Sequence, residues 1–126
     1  MALTSIERVV REGTTAVYGA TIQDIDGNAV AAGDLDSLTL TLWDKVSETI
    51  INSRNAQNVL NANNVTVSDE GVLAWTMQPE DNVIVDVNHL DGQKEEHRAL
   101  FQWTWDTSKY GKYEVVIDVE QLTKVT

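Results

Sequence analysis

Acidic side chains are the most plentiful chemical groups in this chain, and the first question is what their spacing could bind. Asp24 and Asp26, and again Asp34 and Asp36, form spaced pairs in turn-rich segments, where carboxylate oxygens could hold Ca²⁺. No glutamate closes a helix–loop–helix calcium register, and strand patterns flank both pairs, so they read as solvated turn acids. His89 and His97 are the two histidines of a chain without cysteine, and neither lies in an HxH or HExxH spacing. His97 reads as a strand-end histidine held by a hydrogen bond, beside Glu95 and Glu96, whose charges can perturb it in either direction. Ser5, Ser37, Ser47, Ser53, Ser68 and Ser108 all lie outside a G-x-S-x-G nucleophile elbow. Paired carboxylates for glycoside hydrolysis exist only in the sense that so acidic a chain has many pairs. The expectation is therefore no enzyme, no cofactor and no metal.

The elements that position these groups are written most clearly in Glu95–Asp106, EEHRALFQWTWD. His97, Ala99, Phe101, Trp103 and Trp105 share one parity, while Arg98, Gln102 and Thr104 take the other, with Leu100 the one apolar intruder. Such alternation is what a strand requires when one face is buried and the other wet. Ser37–Lys45 repeats it, with Leu38, Leu40 and Leu42 inward and Thr39, Thr41 and Trp43 outward. Thr14–Asp24, Asn64–Val67, Val72–Met77 and Tyr113–Glu120 add further strands, and Thr49–Asn52 is a short run expected to pair after a Ser47-Glu48 turn. Asp26-Gly27-Asn28, Glu12-Gly13 and Asp69-Glu70-Gly71 are turn signals, and Gly111 is placed in the turn of the final hairpin. Val30–Asp36 reads as a loop, Ala56–Ala62 and Pro79–Asn82 as helical turns, and His89–Lys94 as a polar loop.

About seven short strands with turns between them, and no βαβ alternation, predict an all-β fold: an immunoglobulin-like antiparallel β-sandwich in one domain, 12–126, preceded by an N-terminal arm, 1–11. Trp75, Phe101, Trp103 and Trp105 are assigned to the core. Trp43 and Tyr110 are the aromatic rings left for a partner, or for the face of a sugar.

Composition narrows the function classes. The chain has 126 residues, 42% of them hydrophobic, and one proline, which suits a folded domain with a real core. Lack of cysteine removes disulfides and thiolate chemistry. A formal charge of −11, from 20 acidic against 9 basic residues, repels phosphate backbones and disfavours nucleic acid as a partner. The opening stretch MALTSIERVVREGTT never reaches the apolar run of a secretory leader, and no window is long and apolar enough for a membrane helix, so no membrane partner is expected. In the arm, Leu3, Ile6, Val9 and Val10 make an apolar stripe suited to a helical turn or an edge strand. Arg8 and Arg11 add local positive charge, so Leu3, Ile6, Arg8, Val9, Arg11 and Trp43 are the candidate partner-binding residues.

Read in order, REGTTAVYGATI, LTLTLWDKVSETIIN, NVLNANNVTVSDEGVLAWTMQPEDN, EEHRALFQWTW and YEVVIDVEQL resemble a family of small virion structural proteins of tailed bacteriophages. The motif-bearing parts are Leu40–Asn52, Val59–Trp75 and Glu95–Trp105, and the resemblance spans about Glu12 to Val119. Ser47-Glu48 stands where that family has a turn glycine. Some relatives look similar to the N-terminal domain of a baseplate protein, others to immunoglobulin-like capsid decoration domains. The resemblance implies a virion protein made in the host cytoplasm: first a capsid decoration (cement) protein, alternatively a neck or tail/baseplate component. Its partners would be the major capsid protein or neck/tail subunits, together with copies of itself. A carbohydrate-binding adsorption module is the expectation from a different class.

Overall fold

The computed structural model describes residues 5–86 and 93–121, the side chains of residues 5–8 excepted. Eight strands follow in chain order: β1 (Ser5–Arg11), β2 (Ala16–Thr21), β3 (Leu35–Asp44), β4 (Gln57–Asn58), β5 (Val65–Val67), β6 (Val72–Met77), β7 (Lys94–Trp105) and β8 (Lys109–Glu120). They form a five-stranded sheet, β1-β8-β7-β3-β4, and a three-stranded sheet, β2-β6-β5, which make an all-β sandwich.

The two long alternating segments are neighbours. β3 and β7 run antiparallel with Leu38 opposite Trp103, Leu40 opposite Phe101 and Leu42 opposite Ala99, so their inward parities coincide. Tyr18 crosses from the smaller sheet, its hydroxyl 2.9 Å from that of Tyr113 and its ring stacked on Phe101 with centroids 6.4 Å apart. Trp75 meets Phe101 edge-on at 5.7 Å, and Trp103 meets Tyr113 in the same manner at 5.9 Å. These rings, with Leu38, Leu40, Leu42, Leu73, Val115 and Ile117, are the centre of the buried core.

Several expectations need correcting. Ser5–Arg11 takes the edge-strand alternative, but it pairs in parallel with β8, from Ser5–Glu114 to Arg11–Glu120, so the larger sheet is not wholly antiparallel. Ala56–Ala62 contains the two-residue strand β4 and no helical turn. Its neighbourhood is instead a chain of left-handed residues, Asn52, Ser53, Ala56, Asn61, Asn63 and Asn64, with φ between 49° and 74°. Asparagine tolerates that region because its amide bonds locally: Asn61 Oδ1 accepts the Val67 N–H at 2.7 Å, and Asn63 Nδ2 donates to the Asn58 carbonyl at 2.8 Å. A short 3₁₀ turn, Ala32–Asp34, lies within the stretch read as loop.

The last hairpin turns at Asp106-Thr107-Ser108 rather than at Gly111, with φ of 51° at Asp106 and 60° at Thr107. Gly111 lies within β8, where a Cβ would collide with the Trp103 indole, so its missing side chain serves packing. Trp105 is half-buried against the core rather than inside it.

Other readings hold. The Pro79–Asp81 segment is a 3₁₀ turn, and Thr49–Asn52 pairs with β3 through the Trp43–Ile50 bridge. Asp24 Oδ1 accepts the Asp26 and Asn28 N–H groups, both at 2.9 Å, around Gly27 at φ 83°.

Candidate functional site

One polar residue follows the inward run Leu38, Leu40, Leu42 of β3, and it is Asp44. Register sets Asp44 opposite His97 on β7, and Glu95 precedes His97 by two residues on the same inward face. All three are buried at the end of the sandwich, and among the described residues they are the one group of three carboxylate or histidine side chains whose ligand atoms all lie within 4.8 Å.

Their hydrogen bonds are unequal. Glu95 is fully engaged: Oε1 accepts the Val85 N–H at 2.7 Å and Oε2 the Asp86 N–H at 2.9 Å, while His97 Nε2 stands 2.6 Å from Oε1 and donates to it. Asp44 uses one oxygen, Oδ2, for the Ser47 N–H at 3.0 Å and the Ser47 hydroxyl at 2.7 Å. Asp44 Oδ1 has no hydrogen-bond partner although it is buried, and it lies 4.0 Å from His97 Nε2. His97 Nδ1 is likewise buried without a partner. A cleft of about 550 Å³ lies beside the cluster, lined among others by Asp44, Val46, Ser47, Val85, Asp86 and Glu95, with His97 set behind it.

A second buried polar cluster is complete in itself. Arg54 donates to both oxygens of Asp81, at 2.6 Å from Nε and 3.1 Å from Nη2. Its remaining donors reach Gln57 Oε1 at 2.8 Å and the Asn63 carbonyl at 3.1 Å, and its guanidinium carbon stands 5.8 Å from the Trp75 ring centroid. Asp81 also accepts from Asn52 Nδ2 at 2.9 Å and from the Gln78 N–H at 2.8 Å. With the Arg54 guanidinium and the Asp81 carboxylate both satisfied, this is a pin holding the asparagine-rich loop to the end of β6.

The outer face of the larger sheet is polar. Arg98 lies between Glu96 and Glu114, at 2.6 Å and 2.7 Å. Partial burial pulls the Arg98 pKa down, but its hydrogen bonds to Glu96 and Glu114 and their charges outweigh this, leaving it above the ordinary arginine value. Trp43 is on this outward parity as its pattern requires, yet it is half-buried rather than exposed. Tyr110 is 78% exposed and edges a shallow cleft with Ser37, Thr39, Gln102, Thr104 and Lys112. Trp43 and Tyr110 thus share a sheet face but stand about six residues apart along β3, roughly 20 Å, too far for one small ligand.

The remaining sequence candidates are dispersed. Asp24, Asp34 and Asp36 line one cleft with Asp106 and Trp105, and Asp36 Oδ2 accepts the Thr107 N–H at 2.9 Å. No three of those acids converge as the buried cluster does. In β1, Val9 is 53% exposed, Val10 is buried in the core and Arg11 faces solvent; Ile6 and Arg8 lie on the same strand. Leu3 and His89 lie outside the described residues. The Asp44–Glu95–His97 grouping escaped sequence reading, although its signal was present: all three occupy inward positions of alternating strands, where an ionisable residue needs a reason.

No model of a known protein family matches this chain, and no curated protein matches it.

Proposed function

We propose that this protein is a non-enzymatic structural component of a tailed-phage virion, most simply a decoration protein on the capsid exterior. The observation that carries the reading is that the segments with the phage-protein resemblance are the framework of the sandwich: β3, β7 and the Val59–Trp75 stretch through β5 and β6. The immunoglobulin-like part of the proposal draws support from strand order. Numbering aside, β2-β6-β5 against β3-β7-β8 follows the B-E-D and C-F-G pairing of that fold. An acidic surface, net −11, suits a protein that stands off from packaged DNA and docks on a less acidic coat. Decoration would work by avidity, many copies each adding modest buried area between coat subunits.

The test is a copy count by quantitative mass spectrometry of purified particles. On the order of hundreds of copies supports the capsid, and roughly six to a few dozen supports the alternative in the neck, tail or baseplate. Absence from particles overturns the proposal.

A second reading, a carbohydrate-binding adsorption module, is favoured by one observation. Exposed Tyr110 stands beside the hydroxyls of Ser37, Thr39 and Thr104 and the Gln102 amide, a ring face with hydrogen-bonding groups around it. Retention of the protein on host-wall polysaccharide, lost in Tyr110→Ala, would support that reading over decoration.

A further inference from the structure

We propose that Asp44, Glu95 and His97 form a binding site for one divalent transition-metal cation of the zinc class. The donor set is one imidazole nitrogen and two carboxylate oxygens, which suits zinc or its first-row neighbours better than calcium, whose shell is built from oxygens. Tetrahedral ligands 2.0–2.2 Å from a shared ion stand about 3.4 Å from one another. The observed separations bracket that value: 2.6 Å from His97 Nε2 to Glu95 Oε1, and 4.0 Å from Nε2 to Asp44 Oδ1. The Asp44 and Glu95 carboxylates offer oxygens within 4.8 Å of each other, so drawing the three donors onto one ion takes side-chain shifts of about an ångström.

Asp44 Oδ1 is buried, without a partner, and aimed at the histidine. Leaving such a buried acceptor unsatisfied is unfavourable, the more so for a charged group, and a cation coordinated there removes that cost. The other oxygens are already braced: Ser47 holds Asp44 Oδ2 and the Asp86 amide holds Glu95 Oε2, while the Val85 amide bonds the ligating Oε1 itself. This is the outer support that orients carboxylate ligands. Binding displaces the Nε2 proton of His97, which moves to Nδ1 or to solvent, and the freed lone pair coordinates. Nδ1 has no protein partner, so this ligand lacks the support usual for a metal-bound histidine, and affinity should fall about 10–100-fold below a fully braced site.

The experiment uses the full chain, stripped with chelator and titrated with ZnCl₂ by calorimetry, with Tm followed in parallel. The expected result is one Zn²⁺ per chain and a Tm that rises with free zinc. Asp44→Asn keeps the shape and one acceptor oxygen, and should weaken binding at least tenfold while its circular dichroism matches the parent. Should Asp44→Asn fail to fold, the ¹⁵N resonances of the His97 ring in the unaltered protein decide, because coordination shifts Nε2 at stoichiometric zinc. Several weak zinc equivalents unaffected by Asp44→Asn, an unmoved His97 Nε2, or calcium binding as tightly as zinc would each overturn the proposal.

Discussion

At the residue scale, the two buried polar clusters make opposite statements about the same physics. Arg54, with 2% of its side chain exposed, is tolerated because Asp81, Gln57, Asn63 and the Trp75 ring satisfy it. Removing it strands the Asp81 carboxylate, itself fully buried, so Arg54→Ala should cost about 3–5 kcal/mol, read as a fall in the urea midpoint. Trp103→Ala should cost a similar 3–5 kcal/mol for a different reason, an empty volume where a whole indole was. Gly111 tests the same packing from the other side. Gly111→Ala should destabilise by about 1–3 kcal/mol because its Cβ meets the Trp103 ring. Trimming that ring in the double variant Gly111→Ala/Trp103→Phe should recover part of this, whereas strictly additive losses would show that the two sites do not touch.

Among the elements, what was legible is what alternates. β3, β6 and β7 could be read because inward Leu, Trp and Phe repeat every second residue, a local signal that tertiary context reinforces. The loop before β5 was illegible because its logic is non-local: Arg54 finds Asp81 27 positions away, and the left-handed asparagines take their meaning from that anchoring. The metal-class cluster was half legible. Parity put Glu95 and His97 on one face, but only the β3–β7 register brings Asp44 opposite. β1 was legible as apolar without its parallel partner being so. Because Val10 is buried in the core and the strand covers the edge of β8, deleting residues 1–11 should do more than remove an arm. It should lower the denaturation midpoint and expose β8 as a free edge that promotes self-association, detectable by light scattering. A truncated protein that stays monomeric with an unchanged midpoint would show that β1 contributes nothing to the sandwich.

For the whole molecule, the decisive fact is that the two sheets share one core. Tyr18 from β2 and Trp75 from β6 pack directly on Phe101 of β7, and Tyr18 hydrogen-bonds Tyr113 of β8. The Arg54–Asp81 pin then ties the loop beside β4 in the larger sheet to the turn after β6 in the smaller one. Neither sheet can lose its partner without exposing the aromatic cluster, so there is no physical seam along which half of the sandwich could open alone. Unfolding should therefore be one cooperative step. Indole fluorescence reports Trp75 and Trp103 at the core, while far-ultraviolet dichroism reports strands throughout both sheets, and their urea transitions should superimpose. Fluorescence that shifts well before the strand signal would mean that the core loosens while the sheets persist. In that event, the Arg54–Asp81 pin and the Tyr18–Tyr113 bond would be too weak to couple the two layers.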